Sequence, residues 1–296
     1  MAAFILETEA VEYVYPDGTQ ALRKIDMAVA KGQKVAILGS NGAGKSTLFL
    51  HLNGILRPAG GKIRYDGREV VYNAAGLREL RTRVGIVFQD PDSQLFSASV
   101  LQEISFGPLN LGLEKREVKE RVLKAMSETE IEDLADKPTH MLSFGQKKRV
   151  AIADILAMMP EVIIFDEPTA WLDPRHAREF MQLLDHLAAA GRTIIISTHD
   201  VDIAYAWADN ILIMNHGQIV ASGVPTEVFR HPDSIIAADL ALPWLVEMHG
   251  ELMRRDWLRP DAPLPRSKEA LFASLGGHDK GKITAGTTGT VLRVLP

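Results

Sequence analysis

The sequence predicts an α/β fold with an antiparallel β subdomain and a helical insertion subdomain, and three observations carry that prediction. An apolar run, Val35–Leu38, leads into the glycine-rich stretch Gly39–Thr47 and then into apolar Leu48–Leu52, the pattern of strand, tight turn and helix. Three more short apolar runs end abruptly in polar residues: Val84–Phe88 before Gln89, Val162–Phe165 before Asp166-Glu167, and Thr193–Ser197 before Thr198-His199-Asp200. Continuous apolar runs of this length suit strands buried on both faces of a parallel sheet. Between about residues 90 and 158 the composition shifts and helical spacing takes over, which marks an insertion in the α/β core.

Taken in order, residues 4–38 read as strands. Phe4–Tyr15 is rich in apolar and aromatic residues and breaks at Pro16-Asp17-Gly18, a turn signal. Ala21–Ala30 resumes in partial alternation through Leu22, Ile25, Met27 and Val29. A helix over 48–56 ends at Pro58-Ala59-Gly60-Gly61. Lys62–Tyr65 and Glu69–Tyr72 read as a hairpin about Asp66-Gly67, and Leu77–Arg83 as a short basic helix. Within the insertion, Glu114–Met126 places Val118, Val122, Ala125 and Met126 on one face, with Glu117/Arg121 and Glu120/Lys124 in the favourable i,i+4 order.

Ser143 reads as the cap of a helix through Met158, and its run Val150–Met159 is apolar nearly all round, so that helix must be buried. Lys147, Lys148 and Arg149 lie in its first turns, where basic charge opposes the helix dipole; such a local conflict points to a site. Asp173-Pro174 opens another helix with Phe180, Leu183, Leu184 and Leu187 as its core stripe. Ile211–Met214 and Gln218–Ala221 flank Asn215-His216-Gly217 as a hairpin. The expected domains are a main domain over 1–240, a helical extension over 241–272 and a Gly- and Thr-rich flexible tail over 273–296.

The stretch Gly39-Ser40-Asn41-Gly42-Ala43-Gly44-Lys45-Ser46-Thr47 has the spacing of a phosphate-binding loop, so the core reads as that of a P-loop NTPase. Glycines let the backbone turn tightly and aim N–H groups inward, and the helix N-terminus adds partial positive charge. Lys45 reaches the β- and γ-phosphates, and the Ser46 hydroxyl suits Mg²⁺. Asp166, closing an apolar strand, is expected to help hold Mg²⁺ through its waters, and Glu167 to polarise the attacking water. Gln89 ends another strand within reach of Mg²⁺ or that water, and His199 ends a third near the γ-phosphate.

Composition narrows the partners. The 296 residues suffice for one large domain and a smaller one, and the net charge of −5 gives no sign of a nucleic-acid surface. There is no cysteine, so neither a disulfide nor a thiolate metal site exists, and the histidines are scattered without metal-ligand spacing. No run reaches membrane-spanning length, and the N-terminus lacks the pattern of a signal peptide; a cytoplasmic protein is expected, which leaves docking onto a membrane protein open.

In order and spacing, the phosphate loop, Gln89, Leu142-Ser143-Phe144-Gly145-Gln146, Asp166-Glu167, Leu172-Asp173 and His199 resemble an ABC-transporter ATPase subunit, over about residues 4–230. Phe144 departs from the glycine usual in the LSGGQ signature. The resemblance implies a head-to-tail pair of copies with two ATP molecules sandwiched between them. Ser143, Gly145 and Gln146 of one copy would cap the γ-phosphate held by residues 39–47 of the other, with Asp173 near the seam. Tyr15, which from its residues alone reads as a half-buried strand aromatic, aligns with the adenine-stacking position.

A narrower resemblance follows. Gln89–Phe96 is similar to the segment of energy-coupling-factor importers that meets a helix of the transmembrane partner. Gln146–Ala153 and Pro243-Trp244-Leu245-Val246 resemble cobalt-import ATPases of the CbiO type, whose near relatives handle nickel; a vitamin-type cargo stands behind these. The implied assembly adds a transmembrane coupling subunit and a substrate-binding membrane subunit, with this chain peripheral on the cytoplasmic face. Asp90 and Asp92 read equally as solvated loop acids and as attractors of basic residues on that partner. A soluble ABC protein of translation would carry two cassettes in one chain and one of DNA repair long heptad insertions, and neither is present. An unrelated P-loop kinase or GTPase leaves Ser143 and His199 without a role.

Overall fold

The computed structural model describes residues 4–275 and distributes ten strands between two sheets. Strands β1 (Phe4–Val14) and β2 (Gln20–Ala30) form an antiparallel ribbon. Next, β3 (Lys34–Leu38) enters the second sheet and α1 (Lys45–Leu52) follows it. The chain returns to the first sheet in β4 (Gly60–Tyr65) and the two-residue β5 (Arg68–Glu69), giving the order β2-β1-β4-β5.

Helix α2 (Ala74–Arg83) runs directly into β6 (Val84–Val87). Three helices then form the insertion: α3 (Val100–Asn110), α4 (Lys115–Glu128) and α5 (Phe144–Ala157). The core resumes with β7 (Val162–Phe165), α6 (Pro174–Ala189), β8 (Thr193–Thr198), α7 (Val201–Trp207), β9 (Asn210–Asn215) and β10 (Gln218–Gly223). The second sheet has the order β10-β9-β3-β8-β7-β6, parallel from β9 to β6 with β10 antiparallel at one edge. Helices α8 (Pro225–Val228) and α9 (Pro232–Ala237) follow. Residues from Pro243 form a second compact unit, which holds α10 (Trp244–Arg254) and α11 (Lys268–Leu275).

The burial explains the pattern. Every residue of β6, β7 and β8 is buried, as continuous apolar strands require, whereas β2 alternates, burying Leu22, Ile25, Met27 and Val29. Leu48, Phe49 and Leu52 of α1 join Val35 and Ile37 of β3 in one core with the antiparallel sheet. Such burial is the main favourable term in folding.

Several elements differ from expectation. The helix after the phosphate loop spans Lys45–Leu52 rather than 48–56, because Gly44 caps it in a left-handed conformation and Gly54, at φ +72°, stops it. The return strand shrinks to Arg68–Glu69, since Asn73 already caps α2 by accepting from Gly76 N–H. On α4, Arg121 pairs with Glu117 as expected, but Glu120 accepts from Arg116 and Lys124 sits beside Glu128. Residues 273–275, assigned to a tail, lie in α11, and 276–296 fall outside the described residues.

One carboxyl in the insertion gives a testable stability effect. Burial on α5, aided by nearby Glu103, pushes Asp154 up to about 7. A raised carboxyl favours the folded state at low pH, and that contribution fades as pH rises from the ordinary carboxylate range to about 7. Asp154→Asn is therefore expected to raise the thermal midpoint by about a few degrees at pH 8 and leave it unchanged near pH 4. Melting curves at the two pH values check this.

Candidate active site

The phosphate loop is shaped by its glycines. Gly39 and Gly44 sit at φ +158° and +104°, and a Cβ there would fall 2.5 Å from the Met214 carbonyl and 2.6 Å from the Ala21 carbonyl. Both positions exclude side chains, so the backbone can wrap the N-terminus of α1, whose first N–H groups have no partner within the helix. Lys45, only 6% exposed, donates from Nζ to the carbonyls of Gly39 at 2.7 Å and Ser40 at 3.2 Å. Ser46 is exposed, whereas Thr47 is buried and its Oγ1 lies 3.1 Å from the Tyr15 hydroxyl. Tyr15 is therefore tied to the loop's own helix.

Parallel pairing brings the predicted strand-end residues to one edge. Asp166 N–H donates to the Val87 carbonyl at 3.0 Å, which aligns the ends of β7 and β6 and puts Gln89, half-buried, just beyond that junction. Ser197 of β8 bridges the acids: its Oγ donates to Asp166 Oδ1 at 2.5 Å and accepts from Glu167 N–H at 2.8 Å. Glu167 adopts φ +46°, a strained conformation for a non-glycine residue that this bridge holds in place.

The result is a poised carboxylate. Glu167 Oε2 lies 3.0 Å from His199 Nδ1, while Oε1 lies 3.7 Å from Lys45 Nζ and, though buried, has no hydrogen-bond partner. A buried carboxylate oxygen that faces a cation but makes no hydrogen bond is set to accept one from a donor such as water. Ser46, Asp166 and Gln89 offer the oxygen donors that Mg²⁺ prefers, and their residue types fit that ion. Among the described residues no group of three His, Cys, Asp or Glu is placed to hold a metal alone.

The signature residues form a second cluster. Ser143 caps α5 in a reciprocal box with Gln146, at 3.3 Å and 3.0 Å. A Cβ built on Gly145 meets nothing within 4 Å, so the turn faces open space. Ser143, Gly145 and Gln146 line a cleft of about 290 Å³ with His176 and Glu179 of α6, and no residue of 39–47 contributes to its wall. Asp173 caps α6, accepting from Arg175 and His176 N–H, and the His176 bond leads the contacts that hold its carboxyl below the usual range. One molecule thus presents a phosphate cradle with its acids, and separately a capped helix end whose cleft is lined by α6 and by none of residues 39–47.

Two participants were not singled out from the sequence. Ser197 is one of three hydroxyl residues in β8, and only the pairing of β8 with β7 shows that it joins Asp166 to Glu167. In the sequence Lys148 reads only as basic charge that opposes the helix dipole. Its neighbours resolve that conflict: Lys147 pairs with Asp92 at 2.6 Å, and Arg149 donates to the Thr129 carbonyl and Glu130. Ser197→Ala should lower turnover about tenfold with ATP affinity near that of the parent, measured by steady-state hydrolysis and nucleotide titration.

Comparison with known proteins agrees with this geometry. The family model for ABC transporters matches residues 22–170. The energy-coupling factor transporter ATP-binding protein EcfA of Methanosphaera stadtmanae is 50% identical over 248 residues, covering 84% of this chain and 89% of that one. The solved structure of cbiO1 from Clostridium perfringens, part of the ABC transporter complex cbiONQ, has TM-score 0.72 and 49% identity, covering 84% of this chain and 99% of its own. A dimeric structure of the ATP-binding cassette MJ0796 bound to ADP and Pi has TM-score 0.68 at 26% identity, covering 75% of this chain and 99% of that one.

Proposed function

Because this chain belongs to the ABC-transporter ATP-binding family, in its energy-coupling-factor branch, and is an ATPase subunit, we propose that it powers cobalt uptake through membrane partner subunits. The observation that carries the hydrolytic part is Glu167, held by Ser197 and His199, with a buried oxygen that faces Lys45 and makes no hydrogen bond. In this reading Glu167 Oε1 orients a water, takes its proton as the oxygen attacks the γ-phosphorus, and the bond to the ADP oxygen breaks. Lys45 and the N–H groups of residues 39–47 bind the phosphates, and Tyr15 supports the adenine. Ser46, Asp166 and Gln89 would hold Mg²⁺, which neutralises charge developing on the phosphate oxygens.

The second cluster completes the site from another copy. Ser143, Gly145 and Gln146 of one molecule line a cleft in which Gly145 leaves open space, and in this reading the γ-phosphate held by its partner supplies what that helix end lacks. ATP binding then closes a head-to-tail pair, and hydrolysis opens it.

Coupling runs through the segment after Gln89. Asp90 caps the short turn Pro91–Ser93, Asp92 pairs with Lys147 of α5, and Phe96 is 66% exposed with its ring 4.8 Å from that of Phe106. An exposed aromatic pair beside acids suits a helix of a membrane partner. No helix among the described residues is long and apolar enough to cross a membrane; in this reading the chain is peripheral, on the cytoplasmic face. Replacing Asp90 and Asp92 by alanine should leave ATP turnover within about twofold of the parent and abolish uptake. The cargo is tested by co-purifying the chain with its membrane partners and measuring uptake of cobalt in competition with nickel. Preference for nickel, or transport of neither ion, would refute the assignment of cobalt.

A further inference from the structure

Two aromatic residues meet where the signature turn approaches the loop after Glu167. Phe144 and Trp171 contact edge to face, with ring centroids 5.5 Å apart. Trp171 is 67% exposed and sits at φ +61°, a left-handed conformation in which a bulky side chain is strained. Burial does not offset that strain, so the ring's contact with Phe144 is the feature that calls for a role.

Beneath the pair lies Lys148, only 3% exposed. Its Nζ donates to the carbonyls of Pro168 at 2.7 Å and Ala170 at 3.0 Å, and lies 5.2 Å from the Phe144 ring centre and 5.9 Å from that of Phe180. Burial pushes its ammonium down to about 8 against the pull of Glu167, so a costly buried cation is retained here. The loop gripped in this way begins next to Glu167 and ends at Asp173, the cap of α6. The first turns of α5 therefore hold both the backbone beside the candidate base and the ring of Trp171.

We propose that Lys148 and the Phe144–Trp171 ring pair are positioning residues that fasten loop 168–173 to the signature turn of the same molecule, so that the state of that turn sets the placement of Glu167. This rests on the head-to-tail ATPase reading above. In that arrangement the signature turn of one copy senses nucleotide in one site while its own Glu167 works in the other. The fastening is then a mechanical link between the two sites. Lys148 transmits a displacement of Ser143 to Pro168, because one end of its contacts is the α5 backbone and the other is the loop backbone.

The test uses the full chain and the variants Lys148→Ala, Phe144→Gly, Trp171→Gly, Trp171→Phe and the double glycine variant. Turnover, ATP affinity, the Hill coefficient for ATP and hydrogen exchange of the loop amides are measured on each. Lys148→Ala should lower kcat about tenfold with ATP affinity within about twofold, bring the Hill coefficient toward one, and speed exchange at residues 169–173 about tenfold or more. Each glycine variant should lose about threefold in kcat, the double variant no more than either single, and Trp171→Phe should retain most of the activity. Unchanged turnover and cooperativity in Lys148→Ala, or equal loss of affinity and turnover, would overturn the proposal. Because Trp171 is exposed, its variants keep the question answerable if Lys148→Ala fails to fold; additive or absent effects there would also overturn it. A parent chain that does not hydrolyse ATP would instead overturn the underlying reading, and the exchange data would still report on the fastening.

Discussion

Replacing Glu167 with glutamine is expected to cut ATP turnover by about a hundredfold or more while nucleotide still binds. Glutamine keeps the shape and an acceptor oxygen, and the backbone bond from Glu167 N–H to Ser197 Oγ does not depend on the side chain. What it loses is the ability to take a proton from the water at Oε1. It also loses the charge 3.7 Å from Lys45 Nζ, which frees that cation for phosphate. Affinity for ATP should therefore stay equal to that of the parent or rise. Single-turnover hydrolysis and equilibrium titration, run on the same preparation, separate the two effects. Hydrolysis by Glu167→Gln at close to the parental rate would remove Glu167 from its role.

The second large effect is on binding. Lys45→Ala removes a buried ammonium that now donates to the Gly39 and Ser40 carbonyls. On ATP binding that ammonium would exchange these neutral acceptors for charged phosphate oxygens, and hydrogen bonds between charged groups are the stronger kind. Affinity for ATP should fall by about tenfold to a hundredfold, with a smaller loss for ADP, whose missing γ-phosphate takes one contact away. Gly39 and Gly44, whose close carbonyl contacts shape the loop, are unchanged in the variant. Titration with the two nucleotides checks the prediction, and equal affinity of the variant and the parent would contradict the phosphate contact.

Much of this arrangement was legible in the chain because the determinants are local. Gly39 and Gly44 stand at fixed spacing before a lysine, and only glycine tolerates the carbonyls found against them. Ser143 announces a helix cap, to which the structure adds the reciprocal bond of Gln146, and Asp173-Pro174 announces a helix start. Apolar runs ending in Gln89, Asp166 and His199 imply parallel strands whose ends gather at one edge. What was not legible depends on residues distant in sequence. Ser197 matters only because β8 lies beside β7, and Lys148 only because its helix crosses the loop after Glu167. Trp171 carried no signal of its own, since its left-handed backbone is set by the turn around it. On α4, pair order alone did not choose between competing partners, and Glu120 turned toward Arg116 instead of Lys124. Exposed pairs of that kind are worth little, so small differences in rotamer preference decide them.

The central claim is that one molecule holds half of each reaction centre and borrows the other half from a second copy. The Glu167→Gln chain, saturated with Mg²⁺ and ATP, provides the direct test through its mass in sedimentation equilibrium. Twice the mass of a single chain, reverting to one when Ser143 is also replaced by a bulky residue, is the predicted result. A single-chain mass with one nucleotide bound per molecule would contradict the account.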